Sequence, residues 1–181
     1  MDQKKCQSSE VYGKYVDTLI MLEPTADAYF FGGSYALNND NLTKASEYFT
    51  KAIELEGEGE NKDKYTLNLA NVQYKQRSYS SAFRTAKGVG GDEFRGDALM
   101  ICANAIAATA NSCGESTFAR KANYWLANDY VKRAIGAGKE GVSSGQFLSN
   151  APDSNEAFNE GVSAGASVSC SCWGETTTAR F

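Results

Sequence analysis

An all-α fold of antiparallel helical hairpins, finished by a small C-terminal β-hairpin, is what this sequence predicts. Three observations carry that prediction. Between the two prolines, Pro24 and Pro152, apolar residues recur at i, i+3, i+4 and i+7 far more often than they alternate. The breaks between those runs are short and either polar or rich in glycine, which joins neighbouring helices as hairpins. After Gly165 the period drops to two, the period of a strand.

The elements follow in order. Residues 9–22 form one amphipathic run, closed by Glu23-Pro24. Residues 26–38 form the next, followed by the polar break Asn38-Asn39-Asp40-Asn41, and 42–56 form its partner. Residues 63–76 and 79–88 make a second pair, stopped by Gly88, Gly90 and Gly91. Residues 93–111 and 116–135 make a longer third pair, stopped by Gly136 and Gly138. Those glycines sit where a helix C-cap favours a left-handed residue, and Ser116 is placed as an N-cap. Residues 140–149 are expected to form a short helix. Asp153, with Glu156 three residues on, reads as the cap and first turn of another. Val168, Cys170 and Cys172 then alternate with serines until Gly174-Glu175, predicting a β-hairpin too small to stand alone. It is expected to lie against the last long helices.

The second helices share one spacing. Ala45, Phe49 and Ala52 match Ala82, Ala86 and Val89, and both match Ala127, Val131 and Ala134. Twelve residues before Ala45 lies Gly33, and twelve before Ala82 lies Ala70. Small side chains at those positions let two helices approach closely, with bulk around the seam supplied by Tyr29, Leu69, Phe49 and Tyr79. The register repeats after 37 residues, from Ala45 to Ala82.

The totals narrow the function. At 181 residues, with 42% hydrophobic and 22% charged, the chain is an ordinary globular one. Its net charge of −4, without a basic cluster, argues against nucleic acid and anionic membranes as partners. No apolar run approaches the roughly 20 residues of a membrane span. There is no histidine, which excludes Ser-His-Asp and Cys-His catalysis and imidazole metal sites. Five cysteines, Cys6, Cys102, Cys113, Cys170 and Cys172, are read as small apolar packing residues. Cys170 and Cys172, if on a strand, would lie roughly 6.5–7 Å apart, too far for an easy mutual bridge. A four-thiolate zinc site lacks the usual C-x₂-C spacing. No metal and no cofactor is therefore expected. The opening MDQKKCQSSE has no apolar core after it, so it does not read as a signal peptide.

Gly141-x-Ser143-x-Gly145 spells the nucleophile-elbow string, but the strand and the histidine base it needs are lacking. A dyad of that serine with Lys139 is the one hydrolase alternative. The acidic run Glu54, Glu56, Glu58 and Glu60 reads as a solvated loop between repeats.

The stretch LANVQYKQRSYSSA, residues 69–82, resembles the tetratricopeptide repeat pattern L-G-x₂-Y…A-x₃-F…A, and 28–52 resembles it more loosely. Together with NYWLANDYVKRA, NEAF and CWGETTTARF, it is similar to a group of uncharacterised bacterial proteins of tetratricopeptide type with such a tail. The family's tryptophan is absent from both clear repeats. The resemblance implies a right-handed superhelical stack over residues 1–138 and a capping segment over 139–181 within the same globule. It also implies a non-enzymatic scaffold that binds a protein or peptide on its concave face. Carried over by position, that face comprises Asp27, Phe30, Ser34, Leu37 and Asn38 from one repeat. The next contributes Lys64, Leu67, Asn71, Tyr74 and Lys75. In that group an export signal commonly precedes the repeats, so an exported or periplasmic location is implied. The alternative role is a structural segment of a larger assembly, packed through residues 93–135 on a second copy.

Overall fold

A computed structural model describes residues 9–59 and 61–181, so Cys6 and Glu60 lie outside the described residues. Eight α-helices and one two-stranded antiparallel sheet are found among them. The helices are α1 (Glu10–Leu22), α2 (Ala26–Asn38), α3 (Leu42–Glu56), α4 (Lys62–Lys75) and α5 (Tyr79–Lys87), then α6 (Asp92–Thr109), α7 (Thr117–Gly136) and α8 (Ser154–Asn159). The strands are β1 (Ser167–Cys170) and β2 (Glu175–Thr178), paired from Ser167 opposite Thr178 to Cys170 opposite Glu175. The fold is thus mostly helical, with its small sheet at the C-terminal end.

Local chemistry sets the helix ends. Ser9, Thr25, Asn41 and Ser116 each accept a hydrogen bond from a first-turn amide through the side chain. Asp153 and Glu156 form a reciprocal capping box at α8. Among the expected glycine stops, Gly138 is left-handed, whereas Gly88 is right-handed helical. Two non-glycine residues take the left-handed role instead, Asp40 at φ 56° and Arg77 at φ 60°.

Those two residues mark a repeated turn. The Asn41 amide donates to the Ala36 carbonyl at 2.8 Å, and the Ser78 amide donates to the Gln73 carbonyl at 2.9 Å. The bond that opens each second helix also recurs, from Ala45 to Asn41 at 3.0 Å and from Ala82 to Ser78 at 2.9 Å. Donor, acceptor and strained residue all shift by the same interval as the alanine register. Two hairpins, α2–α3 and α4–α5, are therefore built alike down to their hydrogen bonds.

The chain divides into two compact units, one reaching to Gly90 and one from Gly91 to Phe181. The tail 139–181 belongs to the second unit and shares a core with α7, where Phe118, Ala122 and Trp125 pack with Ala157 and Ala179.

In the N-terminal unit the small residues lie at the seams. Gly33, Ala45, Ala70 and Ala82 are all buried. A Cβ built at Gly33 would stand 2.6 Å from Phe49 Cε1, and one at Gly32 would stand 2.7 Å from Tyr48 Cδ2. Such distances leave room for hydrogen and nothing larger. Ala36, Ala45, Phe49, Leu69 and Val72 form the core there, with Phe30, Leu37, Leu42 and Ile53 packed on it.

In the C-terminal unit α6 and α7 pair along Leu99, Cys102 and Ile106 on one side and Leu126, Tyr130 and Val131 on the other, all buried. The β-hairpin lies on α7. The Tyr130 hydroxyl donates to Glu175 at 2.7 Å, the Thr177 hydroxyl donates to Asp129 at 2.6 Å, and Arg180 pairs with the same Asp129 at 2.6 Å.

Two expectations need correction. Residues 140–149 form no α-helix; turns lead to a short 3₁₀ stretch at Leu148–Asn150, because Gly141 at φ +73° and three nearby serines and glycines disrupt helical bonding. Cys172 is not on a strand: β1 ends at Cys170, and Ser171–Trp173 is a 3₁₀ turn. Cys172 instead forms a disulfide with Cys113, their Cα atoms 5.9 Å apart. The packing reading thus holds for Cys102 and Cys170, which are buried, and fails for the bonded pair.

Two buried phenols, one linking α4 to α2 and one linking α7 to β2, set a pH response. Tyr65 donates to Asp27 at 2.6 Å, and both it and Tyr130 have pKa values raised above the ordinary 10.0, first by burial and then by the carboxylate each hydrogen-bonds. Below that value both phenols are protonated whether folded or not. Above it the unfolded chain ionises while the native phenols stay neutral, so their contribution is lost as pH rises. Urea unfolding at roughly pH 9 and pH 11 should show a lower unfolding free energy at the higher pH, falling by up to about 1.4 kcal/mol per pH unit above 10 for each tyrosine. Tyr65→Phe should flatten that slope.

Candidate functional site

The ten residues carried over from the repeat pattern fall on two helical stripes. Asp27, Phe30, Ser34, Leu37 and Asn38 recur along one face of α2, and Lys64, Leu67, Asn71, Tyr74 and Lys75 along one face of α4. The stripes meet at their N-terminal ends. The Phe30 ring lies 4.9 Å from that of Tyr65 and 5.8 Å from that of Phe49, and the Lys64 ammonium sits 4.3 Å from the Phe30 centroid.

Several of the ten are therefore committed to internal contacts. Asp27 is held by Tyr65, Phe30 is enclosed by aromatic rings and a cation, and Leu37 packs on the core. Tyr74 is half-buried, its ring edge-on to Tyr79 at 5.3 Å. Asn38, Asn71 and Lys75 are exposed, while Ser34 and Leu67 are half-buried. What this face offers a partner is a mixed surface of amides, one phenol, one ammonium and some apolar area. A hollow of about 470 Å³ lies elsewhere in the same unit, against Tyr29, Tyr48, Lys51 and Glu54, and none of the ten lines it.

The Ser/Lys alternative meets poor geometry. Ser143 stands in an exposed loop, no strand precedes it among the described residues, and the Lys139 ammonium is taken by Asp97 at 2.6 Å. Among the described residues no helix is long and apolar enough to cross a membrane.

A second concavity, in the C-terminal unit, escaped the sequence reading. Trp125, Leu148, Ala151, Pro152, Asp153, Arg180 and Phe181 are among the residues that enclose about 480 Å³. Its walls come from three separated segments, so no local pattern announces it. Trp125 and Tyr130 are buried on α7, while Tyr124 beside them is half-buried. The disulfide was likewise missed, although Cys113 stands in the break between two helical runs rather than within one.

No protein-family model, curated protein or solved structure matches this chain.

Proposed function

We propose that this protein is a non-catalytic scaffold of tetratricopeptide type that holds a protein or peptide partner against the first helices of its hairpins, α2 and α4. The observation that carries this reading is the 37-residue repetition of turn, seam and stripe. Two hairpins whose turns share the same backbone hydrogen bonds present equivalent faces, and a ligand that follows the chain of one can continue along the other. Asn71, Tyr74 and Lys75 supply the polar and aromatic contacts still open to such a ligand. The superhelical stacking of these hairpins belongs to the same proposal. The Cys113–Cys172 bond favours maturation in an oxidising compartment, which agrees with the export that the family resemblance implies.

The test is comparative. Wild-type protein and a Tyr74→Ala/Lys75→Glu variant are immobilised and challenged with the same extract, with thermal unfolding measured on both. A partner retained by the wild type should be weakened at least about tenfold in the variant, beyond the small stability loss expected from the Tyr74–Tyr79 ring contact and read from the thermal unfolding. Equal retention by the two, or no retention at micromolar concentration, counts against this face.

A second reading, as a structural segment of an assembly, draws on α1. Val11, Tyr15 and Leu22 expose 78%, 61% and 69% of their surface along one stripe of that helix, with Met21 beside them. By contrast the long helices α6 and α7 leave Ile135 as their one large apolar residue exposed among the described residues. Concentration-dependent self-association, abolished by Tyr15→Glu, would favour this reading over the first.

A further inference from the structure

We propose that the exposed stripe of α1 docks on the same stripe of a second copy of this chain, the two helices antiparallel about a two-fold axis between residues 16 and 17. The inference rests on the self-association reading of α1 and adds to it the docking surface, its direction and its register.

The stripe has the spacing of a helix seam. Val11, Tyr15, Thr18 and Leu22 are all exposed and follow one another by four, three and four residues. The opposite side of α1 is taken: Gly13 and Val16 are buried, Gly13 against the Tyr35 ring of α2. A partner helix can therefore reach α1 only along the stripe. Its one polar member does not obstruct contact. The Thr18 hydroxyl donates to the Lys14 carbonyl at 2.8 Å, so its methyl can meet an apolar side chain with no donor left bare.

The order of residues makes the stripe complementary to itself. Positions 11 and 22, and positions 15 and 18, lie equally far from the point between 16 and 17. An antiparallel copy centred there sets Val11 against Leu22 of the second copy and Tyr15 against its Thr18. Each contact occurs twice, and the pair closes on itself as a dimer.

Charge selects the antiparallel direction. Lys14 and Asp17 lie on the same flank of the stripe as Met21. In an antiparallel pair each flank faces the same flank of the other helix. Lys14 then stands two residues along the axis, about 3 Å, from Asp17 of the second copy, and the reverse pair forms as well. A parallel pair would turn Lys14 toward the other flank, where Tyr12 and Leu19 offer no acid. Both charges are available. Lys14 is exposed beside Glu10 at 3.0 Å, and Asp17 is exposed with Lys44 at 3.7 Å, so both engage only in surface pairs that are weak enough to exchange.

The size of the surface sets the strength. Val11, Tyr15, Met21 and Leu22 form an apolar patch on the order of a few hundred Å². A lasting interface takes roughly 800 Å² from each partner. The dimer is therefore weak, half-dissociated on the order of 100 µM.

Sedimentation equilibrium of the full-length protein, taken up to about 1 mM, tests the pairing. Wild type should form a dimer and nothing larger, and Tyr15→Glu should weaken that dimer about tenfold or more. Lys14→Glu sets acid against Asp17 in both halves of the dimer, and Asp17→Lys sets base against Lys14. Each variant alone should associate about threefold more weakly than wild type, or worse. Mixed, the two variants regain both opposite-charge pairs. A labelled trace of Lys14→Glu should therefore bind Asp17→Lys at least about threefold more tightly than it binds Glu23→Lys. The latter carries the same net charge, with its lysine at the C-terminal end of α1. A wild type that stays monomeric at 1 mM, or a dimer indifferent to Tyr15→Glu, overturns the self-association reading and this pairing together. A dimer that Tyr15→Glu weakens, in which the trace shows no preference for Asp17→Lys, leaves that reading standing and overturns the antiparallel pairing alone.

Discussion

Replacing Cys113 and Cys172 together by alanine is expected to lower the stability of the C-terminal unit by about 2–4 kcal/mol. The bond joins residues 59 apart in sequence, and closing a loop of that length removes entropy worth about 4 kcal/mol from the unfolded chain in the chain-entropy account. The native side of the balance should change little. Asn123, itself buried, donates to the Cys113 carbonyl at 2.7 Å and to the Ala119 carbonyl at 3.0 Å, which fixes the Cys113 turn independently of sulfur. At the other end, Tyr130–Glu175, Asp129–Thr177 and Asp129–Arg180 hold the hairpin to α7. The loss therefore acts through the unfolded state, and the reduced protein should still fold. Urea unfolding with and without dithiothreitol checks this: the wild-type midpoint should fall on reduction, and the alanine variant should not respond. Hydrogen exchange adds a local readout, since the amides of β1 and β2 should lose protection more than those of α7. A wild-type midpoint indifferent to reductant would mean that the bond constrains nothing the fold does not already hold.

The contrast between what the sequence foretold and what it hid follows the range of the forces involved. Helices α1 to α5 and α7 lie within a residue or so of their expected bounds because apolar periodicity and side-chain caps act over one or two turns. Ser116 and the Asp153/Glu156 box are decided by neighbours three residues away. Gly33, Ala45, Ala70 and Ala82 were legible for a different reason: a buried seam demands small residues wherever the helices cross, and repetition exposed the demand. The segment 140–149 forms turns rather than a helix because Gly141 and Gly145 favour them over helical bonding. The disulfide was hidden because nothing local pairs Cys113 with Cys172; only the docking of the hairpin on α7 brings them together. The stripes on α2 and α4 were legible as positions, but not in their use. That Asp27 is spent on Tyr65, and Phe30 on two rings and Lys64, depends on how α2 and α4 meet.

The largest single-residue effect is expected at Phe49, where truncation to alanine should cost about 3–5 kcal/mol. The ring is fully buried, and it is framed by Ala36, Ala45, Leu69 and Val72, with Phe30 centred 5.8 Å away. It also rests directly on Gly33, where an added Cβ would stand 2.6 Å from Phe49 Cε1. Gly33→Ala alone therefore sets two effects against each other. Helix propensity favours alanine by about 1 kcal/mol, while displacing a ring enclosed on its other sides costs about 1–3 kcal/mol. The net change should be neutral to destabilising. Removing the ring reverses the sign, because in Phe49→Ala the methyl at position 33 enters vacated space and keeps its propensity gain. The double variant should be more stable than the sum of the single changes predicts, with a coupling of about 1 kcal/mol or more. Urea unfolding of the four proteins measures that coupling. An additive cycle would show that the α2–α3 seam is not closed by the glycine, and the small-residue register at Ala70 and Ala82 would lose its physical meaning with it.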